Sequence, residues 1–281
     1  MPMNTKTGIA AFAGAHAIAL QMKAAQDAAH QIPPWTSQLN SFDLPAAYAV
    51  AQLIHEARLG EGAVAVGRKI GFTNPDMWAR YGVREPIWAH VYDRTVVYAS
   101  AAPQTCGIAR FADPKIEPEI VFHFHAAPPA GGDLEAILKC IDWVAHGFEI
   151  VQSHFLGWKF QAADTVADNS LHAALLVGAP QAIEQIGPDP IAALAAFSLE
   201  LSCDGTLRDR GVGANVLGNP LAAIAHLTAV LAQQPACTPL QAGELVTTGT
   251  ITAAHPIHAG ERWQTALQGI ALPGLAVTFD A

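Results

Sequence analysis

The segment that decides the fold is Lys115-Ile-Glu117-Pro-Glu119-Ile-Val-Phe-His-Phe124, where two acidic residues precede a run of β-branched and aromatic residues. The run predicts a strand, and in an extended chain residues i and i+2 point to the same face. Glu117 and Glu119 therefore project together, and Pro118 suits the start or the edge of a strand because it lacks a backbone donor. Two adjacent carboxylates repel each other unless a proton or a cation joins them. With a third carboxylate the pair predicts a Mg²⁺ or Mn²⁺ site, and a solvated pair at a strand end is the alternative.

Two further segments offer partners to this pair. Glu149 lies in the apolar strand 147–151, where a carboxylate is either a surface residue of an edge strand or a buried group that needs a partner. Lys69 lies in another apolar strand, between Gly67 and Gly71, in a chain with only six lysines. A buried lysine beside a metal is a candidate acid or base because desolvation and the metal lower its pKa. A lysine that extends its ammonium group to solvent from a strand edge is the alternative.

The rest of the chain predicts an α+β fold, in which a mixed sheet follows a helical N-terminal region. Short strands rich in β-branched residues are predicted throughout the part after residue 62, and Asp204-Gly205 predicts a tight hairpin turn. This divides the chain into a helical region over residues 1–62 and a mixed β domain over residues 63–281. The predicted helices are an amphipathic one within 8–29, one that Asp43 caps and Gly60 ends, one that Asp133 caps and Gly147 ends, and one over 220–232.

Composition restricts the class of function. The chain of 281 residues carries a formal net charge of −9, which argues against a nucleic-acid or anionic-membrane surface. The four cysteines form no C-x-x-C pair and indicate thiols in a reducing compartment, so we expect a cytoplasmic protein. The stretch 211–243 is uncharged but too often interrupted by polar residues and prolines to predict a membrane span. Only 14% of the residues are charged and the N-terminal segment 8–29 is apolar, which predicts a homo-oligomer.

Three polar stretches remain open to more than one interpretation. The segment 163–170 is typical of turns and caps, although it could line a pocket. The segment 211–220 is neither a phosphate loop nor a dinucleotide fingerprint, and it predicts tight packing before a helix. The segment 247–252 ends a strand with hydroxyl groups and a glycine, which could donate hydrogen bonds to a carboxylate. His123 and His125 alternate on one strand, but no third nitrogen or sulfur ligand is suggested, so a structural role is favoured.

Six of these motifs, taken in order, resemble a known family. They are Gly-x-Lys-Ile-Gly-Phe-Thr at 67–73, Glu-Pro-Glu-Ile at 117–120, Phe-Glu-Ile-Val-x-Ser at 148–153, Asp-Thr-Val-Ala-Asp-Asn at 164–169, Gly-x-Gly-Ala-x-Val-Leu-Gly-x-Pro at 211–220 and Ala-Gly-Glu-Leu-Val-x-x-Gly-Thr at 242–250. The chain resembles the 2-keto-4-pentenoate hydratase / 4-oxalocrotonate decarboxylase branch of the fumarylacetoacetate hydrolase superfamily over about residues 43–280. Each motif alone is weak, but six in one order are specific.

The resemblance implies a mixed β-roll and a Mg²⁺ or Mn²⁺ site. It implies that Glu117, Glu119 and Glu149 are the metal ligands and that Lys69 is a catalytic residue, with Lys159 matching a second lysine more loosely. We expect substrate contacts from Thr73, Asp164, Asp168 and Thr250. The implied activity is that of a lyase on a 2-hydroxy-dienoate or 2-oxo-enoate in bacterial meta-cleavage of aromatic compounds.

One departure from the family bears on the reaction. Hydratases of this type often carry Pro-Asp at the place where this chain reads Pro86-Ile87, and Glu85 lies two residues away from the missing carboxylate. Hydration of a 2-keto-4-pentenoate-like substrate is the main hypothesis, and decarboxylation of a 4-oxalocrotonate-like 2-oxo-enedioate is the alternative. A third hypothesis, of another class, is a weakly active homologue that binds a 2-oxo acid or stabilises a neighbouring pathway enzyme in a complex.

Overall fold

Two β-sheets form the body of the molecule in a computed structural model that describes residues 14–75, 78, 86–99, 104–234 and 237–281. The larger sheet has the strand order β2-β1-β11-β5-β6-β7-β3, with β12 on β5 and β8 on β6, and the smaller one has the order β10-β9-β13-β14-β4. Both sheets mix parallel and antiparallel neighbours, which confirms the α+β fold class. The strands are β1 (Ala65–Gly71), β2 (Ile87–Tyr92), β3 (Val96–Tyr98), β4 (Gln104–Gly107), β5 (Lys115–Phe124), β6 (Ile141–Val151), β7 (His172–Val177), β8 (Gln181–Ala182), β9 (Ser198–Cys203), β10 (Thr206–Val212), β11 (Leu245–Thr247), β12 (His255–Pro256), β13 (Arg262–Gln268) and β14 (Ala276–Asp280).

The larger sheet curls into a roll whose two sides meet. Just before β7, the Asn169 side chain donates to the carbonyl of His90 on β2 at 3.3 Å, and the Ser170 hydroxyl donates to the carbonyl of Trp88 at 3.1 Å. An apolar cluster from five strands fills part of the interior, so the roll has its own small core. The members of this cluster that are fully or almost fully buried are Val91, Val121, Ala145, Leu175, Val177 and Leu245.

Six α-helices of the described part of the chain surround the sheets, and their caps follow the sequence. They are α1 (Ala15–Asp27), α2 (Leu44–Gly60), α3 (Leu134–Leu138), α4 (Ala162–Ala167), α5 (Pro190–Ala196) and α6 (Pro220–Ala232). Asp43 caps α2 by accepting from the amide of Ala46 at 3.0 Å, and Asn219 caps α6 by accepting from the amide of Leu221 at 2.9 Å. The helices predicted over 43–60 and 220–232 are confirmed.

The predicted helix from Asp133 to Gly147 is wrong beyond its first turn. Asp133 does cap a helix, but α3 ends at Leu138, and Ile141–Val151 is the long strand β6. Every residue from Val144 to Val151 is buried, because β6 lies between β5 and β7 with both of its faces covered. A continuous apolar run of this kind fits a helical stripe and a buried strand equally well, so periodicity alone could not separate them.

Of the other local predictions, two are confirmed and others miss or misplace an element. Asp204 and Gly205 both have positive φ values, 50° and 75°, and form the predicted turn between β9 and β10. Tight packing at 211–213 is also confirmed, because a Cβ on Gly211 would lie 2.1 Å from the carbonyl oxygen of Ile251. The strand β13 and the helices α4 and α5 were not predicted. The strand before the hydroxyl-rich segment 247–252 ends at Thr247, so the rest of that segment is a loop.

The N-terminal helices pack on the body through an apolar cluster of their own. Ile18 and Met22 of α1 and Val50 of α2 are buried in this cluster together with Val166 of α4. The apolar side of α1 is therefore covered within the chain, which weakens the sequence argument that this segment forms a subunit interface; residues 1–13 lie outside the described residues. The division at residue 62 stays a prediction.

One helical segment of the described chain, Gly213–Ala232, is long and apolar enough to cross a membrane, contrary to the sequence expectation for this stretch. More than half of it is buried inside the protein, where Leu221, Ile224 and Leu227 belong to the main core. Burial of this extent is typical of a core helix, and we interpret the segment as one.

Candidate metal and acid–base site

Three carboxylates meet on the inner face of the roll. Glu117 and Glu119 project from β5, and Glu149 lies on β6 directly opposite Glu117 in the antiparallel ladder. One oxygen from each residue lies within 4.8 Å of the others, and Glu119 and Glu149 are fully buried, whereas Glu117 is partly exposed. The structure therefore brings together the three glutamates that the sequence singled out.

Lys69 reaches the same cluster from β1. Its ammonium nitrogen lies 3.1 Å from Oε2 of Glu149, and the side chain is buried. Burial by itself lowers the pKa of Lys69, but the nearby charges of Glu149, Glu117 and Glu119 outweigh burial and raise the pKa above its usual range. Lys69 is therefore held as an ammonium ion, and the alternative of a lysine that reaches solvent from a strand edge does not fit its position.

The pKa values of the three carboxylates are spread apart by their surroundings. Burial and the charge of Glu149 raise the pKa of Glu117 to about 7, although Lys69 opposes them, and burial with the charges of Glu149 and Glu117 raises that of Glu119 well above the usual range. Burial also raises the pKa of Glu149, but the Lys69 ammonium and the hydrogen bond from His172 outweigh it and lower the pKa. Charge repulsion in this cluster favours the uptake of a cation or a proton.

The loop after β11 holds Glu119. The hydroxyl of Thr247 and the amide of Gly249 both donate to Oε2 of Glu119, the amide at 2.8 Å. Gly249 has φ of 101°, and a Cβ at this position would lie 1.9 Å from Oγ1 of Thr73, so only glycine fits. The hydroxyl-rich stretch thus donates to a carboxylate of the protein, and Thr73 lies buried beside this loop.

His172 is a member of the site that the sequence analysis missed. Its Nδ1 lies 2.7 Å from Oε1 of Glu149, and its Nε2 lies 2.8 Å from Oγ1 of Thr95. The only sequence signal is a polar residue at the start of the otherwise apolar strand β7. The contact orients Glu149, because it occupies one carboxylate oxygen and leaves Oε2 facing Lys69.

The donor set fits a hard divalent cation. All three groups are carboxylates, the ligand type that Mg²⁺ and Mn²⁺ prefer, and Oε1 of Glu119 is buried without a hydrogen-bond partner. A buried carboxylate oxygen with no donor is costly in free energy unless a cation compensates it. The three glutamates therefore form a site suited to an ion of this class.

Four other residues expected at the site lie in different surroundings. Both carboxylate oxygens of Asp164 are occupied, by the amide and hydroxyl of Thr36 and by the amide of Gln161 at the start of α4. Asp168 is buried against His154, with Nδ1 of the histidine 2.8 Å from Oδ1. In these contacts both aspartates fix local structure, and the polar segment 163–170 holds caps and turns. A role of Asp164 or Asp168 toward a substrate stays a prediction.

Lys159 and Thr250 are not drawn into the cluster. Lys159 is exposed and forms no salt bridge in the part of the chain that the structure describes. Thr250 donates its hydroxyl to the carbonyl of Thr252 at 2.9 Å. Their roles, and the role of Thr73 toward a substrate, stay predictions.

The position where the family resemblance leads us to expect a carboxylate is apolar and closed. Ile87 is the first residue of β2 and is 3% exposed, and its side chain packs near Gly71 of β1. An isoleucine offers no proton, so Lys69, His172 and the three glutamates are the ionisable groups shown at this site among the described residues. Glu85, the possible substitute, lies outside those residues.

Comparison with known proteins places the chain in a family. The family described as Fumarylacetoacetate (FAA) hydrolase C-terminal matches residues 86–273, and the chain belongs to this family. Among curated relatives, a 2-keto-4-pentenoate hydratase of Paraburkholderia phymatum is 29% identical over 255 residues, covering 90% of this chain and 93% of the relative. A 4-oxalocrotonate decarboxylase of Pseudomonas sp. (strain CF600) is also 29% identical, over 256 residues and the same shares of both chains.

A solved structure agrees with this placement. The 4-oxalocrotonate decarboxylase from Pseudomonas putida G7, complexed with magnesium and adipate, has a TM-score of 0.87 and 27% sequence identity, and the match covers 95% of this chain and 97% of that one. The resemblance inferred from six motifs is therefore confirmed. The similar proteins include enzymes named for two different reactions, hydration and decarboxylation.

Proposed function

We propose that this protein is a divalent-metal-dependent lyase that acts on a 2-hydroxy-dienoate or 2-oxo-enoate, with hydration of a 2-keto-4-pentenoate-like substrate as its main reaction. The observation that carries the proposal is the convergence of Glu117, Glu119 and Glu149 with the buried ammonium of Lys69. Relatives that match 86–90% of the chain include a 2-keto-4-pentenoate hydratase and a 2-hydroxyhexa-2,4-dienoate hydratase.

The residues divide the chemical work between them. Glu117, Glu119 and Glu149 would hold Mg²⁺ or Mn²⁺, which supplies a Lewis acid for the carboxylate and keto oxygens of a 2-oxo acid. Lys69 lies inside the roll beside the carboxylates. In the proposed reaction it transfers a proton to or from the carbon skeleton of the dienol. Thr247 and Gly249 hold Glu119 in place, and His172 does the same for Glu149. The buried setting strengthens each of these electrostatic interactions.

Decarboxylation of a 4-oxalocrotonate-like 2-oxo-enedioate is the second candidate. It is favoured by Ile87, which leaves the described site without the extra carboxylate that would help to deliver water. The same electron sink that stabilises an enolate also accepts the electrons left by departing CO₂, so Lys69 and the three glutamates suit both reactions. The similar decarboxylase structure strengthens this candidate.

An assay of the purified protein decides between these reactions. We expect Mg²⁺-dependent loss of the ultraviolet absorbance of 2-hydroxypenta-2,4-dienoate for the hydratase, and CO₂ release from a 2-oxo-enedioate for the decarboxylase. Exhaustive chelation should abolish either activity, and added Mg²⁺ or Mn²⁺ should restore it. Full activity after chelation contradicts the proposal, and a protein that binds these acids without turnover would be the weakly active homologue.

The proposal includes the assembly of the protein and its location in the cell. The scarcity of charged residues supports a homo-oligomer and leaves room for a complex with a neighbouring pathway enzyme. Free cysteines, two buried and two partly buried, fit a cytoplasmic location. Sedimentation at micromolar concentration tests the assembly: a species of monomer mass contradicts the oligomer.

A further inference from the structure

A second polar cavity, lined by arginines, lies behind the carboxylate cluster. It has a volume of about 230 Å³ and lies where α1, α2, the end of β2 and the start of β7 approach each other. Three of the nine arginines of the chain line it: Arg58, Arg94 and Arg110. No acidic residue belongs to the described residues that form its wall. For a protein with a net charge of −9 this is a marked local excess of positive charge.

Two of these guanidinium groups have no carboxylate partner among the residues that the structure describes. Arg58 is neutralised by ion pairs with Asp27 and Glu61 on the helix side. Arg94 donates to the backbone carbonyl of Glu61, at 2.9 Å. The guanidinium carbon of Arg110 lies 4.9 Å from the ring centroid of Phe111, and this group has no carboxylate partner in the described part of the chain.

The rest of the wall suits a small anion with an apolar body. Thr95, Asn169 and His172 contribute polar groups, whereas Ile54 and Ala173 contribute apolar surface. The imidazole of His172 separates the cavity from the metal site, because its Nδ1 contacts Glu149 and its Nε2 contacts Thr95. The cavity is therefore a neighbour of the glutamate cluster and does not include any of its three carboxylates.

We propose that this cavity is a binding site for a small dianion, held by Arg94 and Arg110 and distinct from the metal centre. Guanidinium groups recognise phosphate and carboxylate oxygens through charge-assisted hydrogen bonds, which are among the strongest in proteins, and Arg94 and Arg110 both line this cavity. A phosphate and a short dicarboxylate share this chemistry, and the cavity has room for either. The proposal does not depend on which reaction the glutamates and Lys69 perform.

Direct titration tests the site without any assay of turnover. Inorganic phosphate and succinate are titrated separately, by calorimetry, into the metal-free full-length protein at constant ionic strength. We expect at least one of them to bind with a dissociation constant of about 1 mM or tighter. Tighter binding of phosphate identifies a phosphate-type ligand, and tighter binding of succinate identifies a dicarboxylate.

Variants then assign the binding to the cavity. Arg94→Gln and Arg110→Gln replace exposed side chains, so the fold is retained, and each should weaken binding about tenfold or more. Arg210→Gln is the matched control, because Arg210 is exposed on the smaller sheet and pairs with Glu200. Glu119→Gln should leave anion binding unchanged.

Three results would overturn the proposal. The first is that neither anion binds the metal-free protein at millimolar concentration. The second is that the Arg94→Gln, Arg110→Gln double variant binds the anion as tightly as the unmodified protein does. The third is that anion binding requires Mg²⁺ and is lost with Glu119→Gln. The last result would assign the anion to the metal centre. None of them bears on the lyase proposal, which stands on its own assay.

Discussion

The inner face of the roll is charged at one end and apolar at the other, although the same strands supply both ends. On β5, Glu117 and Glu119 are followed by Val121, and on β6, Ala145 and Gly147 precede Glu149. Likewise Leu245 on β11 precedes Thr247, which donates to Glu119. The apolar end closes and supports the roll by burial. At the charged end the three glutamates repel one another until a cation binds. This end therefore contributes to function and not to stability.

A second contrast, between the inside and the outside of the roll, explains how a buried group keeps or loses its charge. Lys69 on the inside stays charged because three carboxylates surround it. His90, on the other face of β2, stacks on His55 with ring centroids 3.6 Å apart, and its pKa is lowered to about 2 by burial and by the charge of Arg68. Burial decides the charge state wherever no opposite charge is close enough to outweigh it.

The largest expected effect is at the charged end. Glu119→Gln should lower Mg²⁺ affinity by more than about 100-fold, beyond the range typical of an outer-shell partner, and turnover should fall with it. The metal-free variant should be more stable than the unmodified protein, because glutamine lacks the buried carboxyl group whose pKa is raised well above its usual range and whose ionised form the fold therefore disfavours. Calorimetric titration with Mg²⁺ and chemical denaturation measure the two effects. Unchanged Mg²⁺ affinity would remove Glu119 from the ligand set, and Glu200→Gln, at a partly exposed position on the smaller sheet, is the control.

Lys69→Met separates catalysis from packing within the same end. Methionine has a similar length, so the fold should be kept, and the rate should fall by about 10²–10⁴-fold. Mg²⁺ affinity should rise or stay level because a nearby positive charge is gone. Turnover, Mg²⁺ affinity and melting temperature are measured on this one variant. Normal turnover per folded molecule with a lower melting temperature would make Lys69 structural and leave the carboxylate site untouched.

Leu245→Ala tests the apolar end. The residue is 2% exposed in the interior cluster, so the substitution should reduce the free energy of unfolding by about 2–5 kcal/mol. Turnover per folded molecule should stay near that of the unmodified protein. Leu207→Ala on the surface is the control and should change stability by less than about 0.5 kcal/mol. A large loss of turnover in the folded Leu245 variant would mean that the two ends are not independent.

The smallest effect concerns the pH dependence of stability outside the roll. The unfolded chain takes up a proton on His90 as the pH falls through about 6.5, whereas the folded chain leaves it neutral down to a pKa of about 2. Stability is therefore lost as the pH falls. Between pH 7 and 5.5 the unmodified protein should lose about 1 kcal/mol more than His90→Phe, which keeps the stacked ring. Denaturation curves at both pH values measure this, with His16→Gln on the exposed face of α1 as control. Equal pH slopes for the protein and the His90 variant would show that this histidine is not held neutral.

Local rules were sufficient wherever the controlling atoms are neighbours in the chain. Alternation in an extended strand put Glu117 and Glu119 on one face, Asp43 and Asp133 cap helices, and Asp204-Gly205 turns a hairpin. Alternation and capping depend on separations of two or three residues, which the sequence displays directly. The same rules failed for 139–147, where burial on both faces made the strand β6 resemble a helix.

By itself the sequence determined the residue types of the site, the strands that carry the glutamates and Lys69, and, through six motifs in order, the family. Only the tertiary structure decided that Glu149 lies opposite Glu117, that Lys69 reaches Glu149 across the interior, and that His172 completes the cluster. It also decided that Asp164 and Asp168 turn their carboxylates to local structure. The physical reason is that register and closure of a sheet are set by contacts between residues far apart in the chain, whose free energies no local pattern displays.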